Sequence, residues 1–73
     1  MAAHADELKK LGTIATDLKF TADLRIKAIE MICRIGTHEA LLVLLDLAAN
    51  EGLIREERGL AIKQAREIIK SGR

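Results

Sequence analysis

The sequence has no proline, tryptophan or tyrosine, a single phenylalanine and a single cysteine. A lone cysteine excludes an internal disulfide. One aromatic among 73 residues removes base-stacking platforms and aromatic cages as recognition devices. Long apolar runs are missing too. The longest, Ala40 to Leu45, falls far short of the roughly 20 residues a membrane span requires. The opening residues, Met1 to Glu7, show no basic stretch followed by an apolar one, so a secretory signal is not expected and a reduced, cytoplasmic setting is. Neither charge sign prevails: 12 basic against 11 acidic residues give a net charge of +1, which supplies no global pull toward nucleic acid or membrane. There is no glycine-rich phosphate loop, no Ser/His/Asp constellation and no zinc-type cysteine spacing. The acids stand singly or adjacent, as in Asp6-Glu7 and Glu56-Glu57, and adjacent helical side chains diverge, so they make poor general acid/base pairs. The expectation is a protein with no catalytic site and no cofactor.

What is present points to helix. Residues 1–73 allow one domain, which buries only about 60% of the surface its unfolded chain exposes. Such a domain needs dense helix packing or self-association. Ala, Leu, Lys, Glu and Arg, the strong helix formers, dominate. Without proline, glycines punctuate. Leu8-Lys9-Lys10-Leu11-Gly12-Thr13 parallels Ile32-Cys33-Arg34-Ile35-Gly36-Thr37. Each reads as a helix end with a basic last turn, a glycine suited to the left-handed position after it, and a threonine N-cap. The prediction is all-α, with about five short antiparallel helices: Ala3 to Leu11, Ile14 to Phe20, Ala22 to Ile35 capped by Thr21, His38 to Ala49 capped by Thr37, and Ile54 to Lys70 with Gly59 inside it.

Leu24, Ala28, Met31, Ile32 and Ile35 fall on one helical face. The next segment differs: Leu41, Leu42, Leu44, Leu45 and Leu47, with Val43, wrap nearly the whole circumference. A helix apolar all round must be covered on more than one side. These five leucines are therefore expected to fill both the core and the seam of a homodimer. Residues 24–36 also align without a gap on 60–72, with Leu, Ile, Lys, Ile and Gly coinciding. An offset of 36 falls in the range of helix-pair repeats. In the second copy Ala28, Met31 and Ile35 are replaced by Gln64, Glu67 and Ser71, as expected of a terminal repeat with a polar outer face.

Leu24-Arg25 followed by Ala28, Ile32 and Arg34-Ile35-Gly36, then Glu39-Ala40-Leu41 and Leu44-Leu45, resembles a HEAT-like repeat of the phycobiliprotein-lyase type. The resemblance spans residues 13–72, and Thr37-His38 stands where that family often has Asp-Pro. It implies an α-solenoid fragment, two helix pairs plus a leading helix, and mostly adaptor or scaffold roles. Some members of the family act on bilin attachment, which implies an accessory lyase subunit as an alternative. Another branch of HEAT-like proteins holds iron with His-Glu pairs. This chain has one such pair, His38-Glu39, and the positions a helical metal site would use next hold Leu41, Leu42 and Val43. His4 is the other histidine, beside Asp6 and Glu7. No metal is expected. Cys33, without a CxxC partner, reads as a small buried hydrophobe.

The basic residues form a pattern. Residues 53–73 carry six positive and three negative charges. Arg55, Lys63, Arg66, Lys70 and Arg73 fall within an arc of roughly 80° on a helix. The repeat sets Lys27 beside Lys63 and Arg34 beside Lys70. Lys27, Arg34, Lys63, Arg66 and Lys70 are thus a candidate strip for an acidic protein partner. A nucleic-acid backbone is the alternative, disfavoured by the missing aromatics and the near-zero net charge. The competing reading is a solvated helix face.

Overall fold

The computed structural model describes the backbone of residues 2–71 and the side chains from Asp6 to Ser71. The side chain of His4, and Gly72 and Arg73, which close the aligned segment and the basic arc, lie outside the described residues. Four α-helices and no strand make up the described chain: α1 (Ala2–Thr16), α2 (Ala22–Ile35), α3 (His38–Ala48) and α4 (Arg55–Lys70).

The caps of α2 and α3 form as the sequence predicts. Thr21 accepts a hydrogen bond from Leu24 N at 3.3 Å, and Thr37 accepts one from Ala40 N at 3.1 Å. Each satisfies one of the free N–H groups of a first turn. Between them Gly36 takes the left-handed conformation, φ 66°. A Cβ is disfavoured there, so glycine is the residue that lets α2 stop and α3 leave in a new direction.

The same reading fails at Gly12. The helices expected over Ala3–Leu11 and Ile14–Phe20 are one helix, α1, which runs through Gly12 and ends at Thr16. Thr13 is no N-cap; its hydroxyl donates back to Lys9 O. The apolar stripe explains the difference. Leu8, Leu11 and Ala15 continue one face across the glycine, and the buried Ala15 holds the chain helical beyond it. A Cβ at Gly12 would meet Val43 Cγ1 at 3.8 Å, so the glycine lies where α3 crosses. The five helices expected are therefore four, and no separate leading helix exists.

The loops inside the α1/α2 and α3/α4 pairs are built alike. After α1, Asp17 Oδ1 accepts from Lys19 N at 2.9 Å and Asp17 O from Phe20 N at 3.1 Å. After α3, Asn50 Oδ1 accepts from Gly52 N at 2.8 Å and Asn50 O from Leu53 N at 3.1 Å. Each is an Asx turn closed three residues on, a use for which Asp and Asn side chains are suited.

α1 packs on α2 and α3 on α4; α2 also packs on α4 and on α3, and α1 on α3, whereas α1 and α4 do not meet. The core is Leu8 and Ala15 from α1, Ala28, Ile29 and Ile32 from α2, Ala40, Leu44 and Leu47 from α3, Leu53, and Ala61, Ala65 and Ile68 from α4. Burial recurs at an offset of 36: Leu8 and Leu44, Arg25 and Ala61, Ile29 and Ala65, and Ile32 and Ile68 are all buried. The predicted face of α2 is rotated. Ala28 and Ile32 are inside, but Leu24 and Met31 are exposed, and Arg25 and Ile29 take the inner positions.

Candidate protein-interaction surface

One interaction missed by sequence reasoning fixes α2 against α4. Arg25 is 7% exposed and Glu57 fully buried. Arg25 Nε donates to Glu57 Oε1 at 2.9 Å and Oε2 at 3.0 Å, and its Nη1 donates to the Phe20 carbonyl. Arg25 therefore ties three parts together: α2, the loop ahead of it and the first turn of α4. Glu57 sits in that first turn, where the helix dipole favours a negative charge. The signal lay in the spacing. Glu57 stands four, eight and eleven residues before Ala61, Ala65 and Ile68, on the buried stripe of α4.

With α2 and α4 held side by side, their outer faces form one surface. Lys27, Arg34, Lys63, Arg66 and Lys70 are all exposed. Among the described residues none of the five is in an ion pair; the ion pair found is the buried Arg25–Glu57. At an offset of 36 in the sequence, Lys27 corresponds to Lys63 and Arg34 to Lys70, while Glu30 corresponds to Arg66. The structure therefore brings the predicted cations to adjacent helices, with Glu30 interrupting them on α2.

Arg34 borders two open grooves. One, of ≈ 660 Å³, lies between the C-terminal end of α2 with the turn into α3 and the C-terminal end of α4, and its lining includes Arg34, Cys33, Glu67, Ile68 and Ser71. The other, of ≈ 470 Å³, lies between α1 and α2 and is lined by Glu7, Lys10, Leu11, Met31, Arg34 and Ile35. Cys33 is half-buried and donates weakly to Gln64 O at 3.6 Å. Burial first, and the Glu67 carboxylate second, push its thiol pKa up. The thiol form is thereby favoured over the nucleophilic thiolate. His38 and Glu39 are exposed in the first turn of α3. Among the described residues no three His, Cys, Asp or Glu side chains gather in a metal-binding group, and no helix is long and apolar enough to cross a membrane.

The leucines of α3 divide between two environments. Leu44 and Leu47 are buried in the chain's own core and Leu41 is half-buried against it, so these three are engaged within one molecule. Leu42 and Leu45 are exposed. Of the five residues expected at a homodimer seam, these two present substantial surface. The wheel that looked apolar all round is covered from α1, α2 and α4, which all pack on this helix.

The polar positions of α4 do not form an outer cap. Gln64 receives the Cys33 thiol on its carbonyl, and Glu67 and Ser71 line the groove shared with Cys33 and Arg34. All three lie on the flank of α4 that meets α2. The outer flank carries Ile62 and Ile69, both exposed.

Comparison with protein-family models, with curated proteins and with solved structures finds no match for this chain.

Proposed function

We propose that the chain is a HEAT-like helical-repeat module without a catalytic site, which binds an acidic protein surface through the outer face of α2 and α4. The packing supports the repeat. Each α-hairpin contributes one helix to an α1/α3 pair and one to an α2/α4 pair, and α1 does not reach α4, as it would in an up-and-down bundle whose first and last helices are neighbours. Burial recurring at an offset of 36 fits two copies of one unit. The observation that carries the binding role is the set of five exposed cations on two packed helices with no ion-pair partner among the described residues.

The test is fluorescence anisotropy with a labelled oligoglutamate peptide, and with duplex DNA as comparator. The double variant K63E/K70E removes two exposed cations and touches no core residue. It should keep the wild-type helical circular dichroism and lose about tenfold or more in peptide affinity. Unchanged peptide binding would remove the proposed role. Tighter binding to DNA than to the peptide, with a steep loss on adding salt, would assign the face to nucleic acid instead.

A further inference from the structure

The chain buries one side of each helix pair and leaves the other side apolar and open. On α2, Cys33 lies toward α4. At 100° per residue, Leu24 and Met31 stand about 180° and 160° round the helix from it. Both are exposed, Met31 by 52%. On α4, Gln64 lies toward α2, and Ile62 and Ile69 stand about 160° and 140° away. These too are exposed, Ile69 by 59%. On α3, Val43 faces Gly12 of α1, and the exposed Leu45 stands about 160° from it. One end of the molecule therefore presents Leu24 and Met31. The opposite end presents Ile62, Ile69 and Leu45.

The 36-residue offset says what each end fits. Ile62 and Ile69 occupy the positions of Ile26 and Cys33, which are half-buried on the α4 side of α2. Leu24, Ala28 and Met31 occupy the positions of Leu60, Gln64 and Glu67, on the α2 side of α4. The contact already made between α2 and α4 thus has a donor flank and an acceptor flank, and each recurs unpartnered at an end. The recurring version is more apolar, with Met31 where the internal contact has Glu67. A second feature marks the same end. Arg58 lies about 20° and 40° round α4 from Ile69 and Ile62. Its Nε is buried and has no hydrogen-bond acceptor among the described residues. A buried donor left without an acceptor is costly, so this end lacks an acceptor as well as apolar cover.

We infer that the partner of each end is the opposite end of a second copy of this chain. Ile62 and Ile69 of one molecule pack on Leu24 and Met31 of the next, continuing the α2–α4 contact across molecules. Such a contact is heterologous, so it propagates instead of stopping at a pair. The homodimer seam expected from the leucine-rich helix becomes one edge of a head-to-tail interface, entered through Leu45. This assembly does not require the acidic-partner role, although Arg34 borders the groove that Met31 also lines.

Sedimentation equilibrium from micromolar to millimolar concentration tests it. The average mass should rise with concentration from 8.0 kDa past the dimer value. I69E and M31E each alter an exposed side chain at one end, so each should keep the helical circular dichroism and remain monomeric. Mixed at equal concentration, I69E supplies an intact Leu24/Met31 end and M31E an intact Ile62/Ile69 end, while the other end of each is blocked. The mixture should form a one-to-one dimer that grows no further. A monomer at every concentration would overturn the inference, as would a wild-type mass that stops at dimer. So would variants that still assemble, or a mixture that stays monomeric.

Discussion

Replacing Glu57 by alanine is expected to destabilise the fold by about 3–5 kcal/mol, because it leaves the Arg25 guanidinium buried without its counter-charge. The whole stability of a 73-residue domain is of order 4–11 kcal/mol, so the variant should be largely unfolded on mild heating. The pair is buried on both sides, with side chains 9% and 0% exposed, which separates it from surface ion pairs worth well under 1 kcal/mol. Its geometry is also closed: both carboxylate oxygens accept from Nε, and the Phe20 carbonyl takes Nη1. The double variant R25M/E57L removes both charges and fills the space with apolar atoms, so it should unfold near the wild-type midpoint or above it. Urea denaturation followed by circular dichroism reads both. An E57A midpoint close to wild type would mean that the pair does not hold α2 against α4.

Leu44→Ala is expected to cost about 2–5 kcal/mol, the range for a fully buried leucine whose neighbours relax only in part. Leu42→Ala, two residues earlier on the same helix, should change stability by no more than about 0.5 kcal/mol. Leu44 is fully buried among the core residues, whereas Leu42 is 48% exposed. The comparison separates a leucine that holds one molecule together from one available to a second. Equal losses at the two positions, measured in dilute solution, would mean that Leu42 is covered as Leu44 is.

The parts of the fold legible in the sequence were those set by local chemistry. Thr21 and Thr37 cap their helices because a side-chain oxygen two or three residues ahead of free N–H groups has one use there. Gly36 takes positive φ between two such helices. Gly12 shares the same neighbouring residue types and behaves differently, because what keeps α1 helical is the buried Ala15 and the passage of Val43 alongside. That information is tertiary. The 36-residue offset was visible from Leu24 onward; in α1 and α3 one pair at that offset, Leu8 and Leu44, is buried although their surroundings in sequence differ.

The surface was legible in outline. The five cations reach the solvent as their helical spacing requires, since charged side chains at those angles cannot enter the core without a partner. Arg25 was hidden among them because its partner stands 32 positions away. The direction of the polar flank on α4 was misread for a related reason. A helical wheel shows that Gln64, Glu67 and Ser71 share a side, but only the position of α2 shows that this side borders α2 along an open groove. Ile62 and Ile69 are left outside as a consequence.

The arrangement of the four helices is tested most directly by interhelical nuclear Overhauser effects in the uniformly labelled protein at low concentration. Cross-peaks should join the Gly12 α protons to the Val43 methyls and Cys33 to Gln64, and none should join α1 to α4. Cross-peaks joining α1 to α4 in place of those joining α1 to α3 and α2 to α4, the pattern of an up-and-down bundle, would contradict the stacking of the α1/α2 pair on the α3/α4 pair and with it the recurring flank on which self-assembly depends.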